Sequence, residues 1–68
     1  MALSARNHLV GTIEDITHDV ILCHVVVRVG DNLIESVITR RSADDLHLQK
    51  GDRVTAVVKA TEVMIAKP

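Results

Sequence analysis

The chain has 68 residues, a formal net charge of −1 and a single cysteine, Cys23. This length allows one domain with a small core, and a lone cysteine excludes an intrachain disulfide that would stabilise it. The charge gives no general attraction to nucleic acid or anionic membranes, and 47% hydrophobic residues are many for so short a chain. We therefore expect much of the apolar surface to be buried between subunits of an oligomer.

The first two predicted elements are strands. The opening strand runs from about Ala5 to Ile16, with Gly11 as a bend or bulge. In the second, from Val20 to Val29, every odd-numbered residue from position 21 onward is apolar and the even-numbered positions are mixed. This alternation indicates a strand covered by the core on one face and by a partner on the other.

The third strand is predicted from about Leu33 to Thr39, after a turn at Gly30-Asp31-Asn32. The segment Ser42-Ala43-Asp44-Asp45-Leu46 has a Ser-x-x-Asp pattern close to a capping box. This pattern predicts a short helix with Ser42 as its N-cap.

The last strands follow a turn at Lys50-Gly51-Asp52. Residues 54–59 have a strand pattern, and Val63-Met64-Ile65 continues it. β-Branched residues, which favour strands, dominate throughout. The sequence therefore predicts an all-β fold, a single domain over residues 1–68. Its architecture is a small five-stranded OB-like barrel, closed or partly closed, with one short helix, assembled as an oligomer.

Hydrogen-bond donors are concentrated in three segments at strand ends, Ser4-Ala5-Arg6-Asn7, Thr39-Arg40-Arg41-Ser42 and Lys59-Ala60-Thr61. None of these segments contains a carboxylate. The oxygens of a tetrahedral oxyanion accept hydrogen bonds and cannot donate them, and bonds from Arg or Lys to an anion are stronger than neutral ones. A helix beginning at Ser42 would add free amides and a favourable dipole. The donor set is therefore suited to an oxyanion site.

Each of these residues also has a purely structural interpretation. Ser42 can act simply as a helix cap, Thr39 as an ordinary strand residue and Asn7 as a turn residue. Arg6 and Lys59 can be solvated surface charges. Residue spacing alone leaves both interpretations open.

Three motifs, in this order along the chain, resemble the molbindins, small stand-alone proteins of the Mop family that are related to the TOBE domains of molybdate transport and regulatory proteins. The motifs are Ser4-Ala5-Arg6-Asn7, Ile38-Thr39-Arg40-Arg41-Ser42-Ala43-Asp44-Asp45-Leu46 and Val57-Val58-Lys59-Ala60-Thr61-Glu62-Val63-Met64. The resemblance covers essentially the whole chain. It implies an OB-like barrel assembled as a hexamer, a trimer of dimers, with molybdate or tungstate bound at subunit interfaces.

The resemblance also implies which residues bind the anion. One subunit would contribute Ser4, Arg6, Asn7, Lys59, Ala60 (through its backbone) and Thr61. The neighbouring subunit would contribute Thr39 and Ser42. Arg40-Arg41 departs from the family pattern, which has an apolar residue followed by an acidic one, and adds positive charge near the predicted site.

The predicted function is therefore binding of molybdate or tungstate for storage, buffering or homeostasis, without an organic cofactor or a cationic metal site. A nucleic-acid-binding OB module is one alternative, although the chain has no aromatic residue on which bases could stack. A module that contacts a transporter or regulator is another. We expect no enzyme, since no acid–base or nucleophile constellation is visible.

The remaining residues with reactive side chains have structural interpretations. The four histidines, His8, His18, His24 and His47, lack metal-ligand spacing and are expected at the surface or an interface. Cys23 lies on the apolar face of its strand, which predicts a buried thiol. There is no export signal and no apolar run long enough to span a bilayer, so we expect a cytoplasmic protein without membrane or nucleic-acid partners.

Overall fold

The structure is a computed structural model that describes residues 5–68. Within this range the chain forms four strands, one short helix and one 3₁₀ turn. In chain order these are β1 (Asn7–His18), β2 (Leu22–Val29), β3 (Asn32–Thr39), α1 (Arg40–Asp45), β4 (Arg53–Val58) and the 3₁₀ turn Ala60–Glu62. The mostly-β prediction with one short helix between the third and fourth strands is confirmed.

The four strands form one antiparallel sheet in the order β3-β2-β1-β4. At 12 residues, β1 is long enough to pair with β4 through its first half and with β2 through its second. The first and last strands are therefore neighbours, although they are far apart in sequence. Residues 63–65, predicted as a continuation of the last strand, form no ladder within the described part of the chain.

The irregularity predicted at Gly11 occurs three residues later. The pairing of β1 with β2 shifts register between Ile13 and Asp15, which leaves Glu14 as the extra residue of a bulge. Gly11 itself stays in the ladder, opposite Val54 of β4. A Cβ atom on Gly11 would clash with the carbonyl oxygen of Arg28. Glycine is therefore required at position 11 by the close approach of the β2 backbone.

The core lies on one face of the sheet. Alternate residues of β2, namely Cys23, Val25 and Val27, are buried, and Val25 and Val27 pack with Ile13 of β1. This confirms the buried thiol and the predicted apolar face of β2 from Cys23 onward, whereas Ile21, predicted on the same face, precedes the strand and is exposed. The Sγ atom of Cys23 lies 3.2 Å from Nδ1 of His18, the residue opposite it on β1.

Helix α1 begins earlier than predicted, and Ser42 is not its N-cap. Thr39 is the cap: its Oγ1 accepts a hydrogen bond from the Ser42 N–H at 3.1 Å and donates one to Ser42 Oγ at 2.8 Å. Strand β3 runs into the helix without an intervening residue, so its last residue has the extended backbone that a cap requires (φ −70°, ψ 148°). At six residues, α1 is also the longest helix in residues 5–68, and none there is long and apolar enough to cross a membrane.

We expect Thr39→Ala to lower the free energy of unfolding by about 1 kcal/mol, because it removes the acceptor for the Ser42 N–H. Ser42→Ala leaves that acceptor in place and should cost clearly less. Urea denaturation of both variants at one protein concentration measures the difference. Equal losses, or a larger loss for Ser42→Ala, would contradict the assignment of Thr39 as the cap.

Candidate functional site

A cavity opens at the end of the sheet where β1 begins and β4 ends. Asn7, the first residue of β1, pairs with Val58, the last residue of β4. The segments that flank this pair therefore leave the sheet at the same place. The residues that line the cavity come from both of them: Ala5, Arg6, Lys59, Ala60 and Thr61.

The structure thus brings together four of the residues that the resemblance implied as ligands, namely Arg6, Lys59, Ala60 and Thr61. Asn7 is adjacent to them in the β1–β4 ladder. Ser4 lies outside the described residues. The assignment of these residues as anion ligands stays a prediction.

Thr39 and Ser42 do not line this cavity. Thr39 ends β3, which forms the opposite edge of the sheet from β4, and Ser42 follows in α1. The Ser42 N–H is not free for a ligand, because it donates to Thr39 Oγ1. Thr39 also uses its hydroxyl proton to bond Ser42 Oγ, which leaves the hydroxyl proton of Ser42 as the donor available to a ligand.

The charged side chains that line the cavity, Arg6 and Lys59, are both cations. Arg6 and Lys59 are both exposed, and neither forms an ion pair with a carboxylate within residues 5–68. The residues that line the cavity include no Asp or Glu. Two cationic side chains without a neutralising partner favour an anion at this position.

The 3₁₀ turn supplies neutral donors to the same cavity. Its own hydrogen bonds use the N–H groups of Glu62, to Lys59 O at 2.9 Å, and of Val63, to Ala60 O at 3.4 Å. The first N–H groups of a helical turn have no acceptor within it, and within residues 5–68 those of Ala60 and Thr61 have no backbone acceptor. With the Thr61 hydroxyl, the cavity wall combines charged and neutral donors, as a tetrahedral oxyanion requires.

His8 also contacts this region, which residue spacing did not indicate. Its Nε2 lies 2.9 Å from the carbonyl oxygen of Ala5, one of the residues that line the cavity. A carbonyl oxygen only accepts hydrogen bonds, so Nε2 carries the proton. The sequence signal that could have suggested this contact is the position of His8 two residues after Arg6, at the start of a strand.

The Arg40-Arg41 pair departs from the family pattern. Its first residue, Arg40, has a structural role. The Arg40 backbone N–H donates to Ile21 O at 2.7 Å, and its Nη1 donates to Asp19 O at 3.0 Å. Its Nε lies 3.7 Å from the carboxylate of Asp44. Arg40 therefore holds the loop between β1 and β2 against α1. Its charge is paired with that of Asp44 in the same helix.

The chain is similar in sequence and overall fold to several known proteins. Molybdenum-pterin-binding protein 1 of Clostridium pasteurianum is 41% identical over 66 residues, 96% of this chain and 97% of the relative. A molybdate-binding protein from Sporomusa ovata has a similar structure, with a TM-score of 0.93, 37% identity and coverage of 98% of this chain and 100% of that one. The cytoplasmic molybdate-binding protein ModG, solved with molybdate bound, gives a TM-score of 0.84 at 36% identity, over 88% of this chain and 43% of that one.

The family model for the TOBE domain matches residues 3–65, nearly the whole sequence. The match spans the three donor-rich motifs that carry the resemblance described above. The chain belongs to the TOBE-domain family.

Proposed function

We propose that this protein is a single Mop-type domain that binds molybdate or tungstate and serves storage, buffering or homeostasis of the anion in the cytoplasm. The observation that carries the proposal is the meeting of Arg6 and Lys59 with backbone and hydroxyl donors in one cavity without a carboxylate. The names of the relatives support the choice of anion.

The anion site is completed by a second subunit. In one chain Arg6, Lys59 and Thr61 are all exposed, and ion pairs in contact with water contribute about 0–1 kcal/mol. Excluding water strengthens the same contacts, because the effective dielectric constant falls. A neighbouring subunit that brings Thr39 and Ser42 over the cavity would add donors and exclude water together.

Uncovered apolar residues support the oligomer, which we propose to be a hexamer built as a trimer of dimers. Val20 and Ile21 are 84% and 73% exposed, and Met64 and Ile65 are 91% and 89% exposed. So many large apolar side chains in contact with water are unusual in a small domain. Their burial between subunits would offset the limited size of the core within one chain.

In the same assembly we also propose a fifth strand, which would close the sheet into a barrel. An apolar cavity of about 300 Å³ lies between the two edge strands, lined by residues that include Ile34 and Ile38 of β3 and Val54 of β4. Val63 already has extended backbone angles (φ −91°, ψ 123°). We propose that residues 63–65 pair as the fifth strand in the assembled protein.

Calorimetric titration of the purified, anion-stripped protein with molybdate and tungstate tests this function, with sulfate as the control anion. We expect saturable binding of the first two and little response to sulfate, with a stoichiometry that fits sites shared between subunits. Light scattering on the same sample gives the oligomeric state. A folded oligomer that produces no heat with molybdate or tungstate would contradict the proposal.

A further inference from the structure

His8 connects β1 to the cavity by a hydrogen bond that spans three residues. The ladder between β1 and β4 begins at Asn7, so Ala5 and Arg6 lie beyond its end. The His8 side chain reaches back along the strand, and its Nε2–H donates to the Ala5 carbonyl at 2.9 Å. This bond ties the segment that carries Arg6 to the strand.

We propose that His8 is a positioning residue for the oxyanion cavity, which it organises by holding the Ala5 carbonyl. This inference rests on the proposed function, because it concerns the same cavity. His8 acts on the anion through Ala5 and Arg6, and direct contact with the ligand is not part of the role.

Two physical effects follow from the bond. The Ala5 carbonyl oxygen carries a partial negative charge and belongs to a residue that lines the cavity, so an oxyanion near it would be repelled. Donation by His8 compensates that charge. The peptide group is planar and trans, so holding the Ala5 carbonyl also directs the Arg6 N–H to the opposite side.

The bond also reduces the conformational entropy that the segment before β1 would lose when the anion binds. Residues beyond the end of a ladder are free to sample several backbone conformations, and fixing them on binding weakens affinity. A segment that is already held by His8 avoids part of this loss. The expected contribution to affinity is about three- to tenfold, the equivalent of one ordinary hydrogen bond.

The test compares His8→Ala, His8→Gln and the wild type by calorimetric titration with molybdate. His8→Ala should weaken binding about three- to tenfold. His8→Gln should bind within about twofold of the wild type, because an amide N–H can donate to the Ala5 carbonyl over the same spacing. His24→Ala is the matched control, since His24 is an exposed histidine of β2 whose Nε2 lies 2.8 Å from Glu35, and its affinity should not change.

The outcomes separate this inference from the proposed function. A wild type that binds no molybdate overturns the proposed function, and the role of His8 with it. A wild type that binds molybdate, with His8→Ala of equal affinity, overturns the role of His8 alone. Equal weakening in His8→Ala and His8→Gln, with thermal unfolding like that of the wild type, would also overturn it, since donation to Ala5 would then not be the cause.

Discussion

Gly11→Ala lowers the free energy of unfolding by about 3 kcal/mol, the upper end of the usual cost of inserting a methyl group into a packed site. The new Cβ would clash with the Arg28 carbonyl oxygen and would lie 2.9 Å from methyl carbons of Val27 and Val29. A flexible side chain could move away from such a contact. The Arg28 carbonyl cannot, because its backbone is paired with both β1 and β3, so β1 and β2 must separate.

The loss of stability is large for this protein because the buried core residues come from β1 and β2. Ile13, two residues after Gly11, is 1% exposed and packs against Val25 and Val27 of β2. Separation of the strands near Gly11 would open that contact. Urea denaturation followed by circular dichroism measures the change, and a small domain has little stability to lose.

Gly30→Asn is the matched control for this substitution. Gly30 has a φ of +60°, and nothing lies within 4 Å of the position that its Cβ would occupy. Asparagine adopts this backbone conformation more readily than most residues, so the cost should stay below about 1 kcal/mol. Wild-type stability of Gly11→Ala would contradict the close approach of β2, and equal losses in both variants would point to a general cost of replacing glycine.

The fold was predictable from the sequence where it depends on the alternation of apolar and polar residues along a strand. The buried face of β2 follows from the apolar residues at every second position, which face the same side of a strand whatever it pairs with. The bulge at Glu14 was not predictable, because it depends on the register between two strands. The close approach at Gly11 is likewise a property of the packed sheet, and the sequence indicated only that a glycine there was unusual.

The helix start illustrates a competition between two local signals. Ser42 with Asp45 has the spacing of a capping box, whereas Thr39 has a capping side chain three residues before Ser42. Both are reasonable caps from composition alone. The direct passage of β3 into α1 decides for Thr39, because it gives this residue the extended backbone of a cap.

The cavity was predictable in its chemistry and not in its geometry. Donor-rich segments without carboxylates can be recognised in the sequence, and the family resemblance implied that two of them lie together. Their meeting depends on the pairing of β1 with β4, which residue patterns do not indicate for strands so distant in the chain. The contact of His8 with Ala5 depends on how the chain bends before β1, so it required the structure.

Arg6→Ala and Lys59→Ala should each weaken molybdate binding by about 10- to 150-fold. A hydrogen bond to a charged group contributes about 1.5–3 kcal/mol, which corresponds to that range of affinity. Both side chains are exposed, and neither forms an ion pair in residues 5–68, so their removal should leave folding and assembly largely intact. Calorimetric titration gives the affinity, and light scattering shows whether the oligomer persists.

Arg53→Ala separates the loss of a specific contact from the loss of charge. Arg53 is an exposed cation at the start of β4, at the other end of that strand from Lys59, so the variant has the same net charge as the other two. We expect its molybdate affinity to stay within about twofold of the wild type, because charges more than about 10 Å apart in water are largely screened at ordinary salt. Wild-type affinity in both Arg6→Ala and Lys59→Ala would remove these residues from the site. Equal weakening in all three would mean that the anion responds to overall charge, and the cavity at the end of β1 and β4 would then not be its binding site.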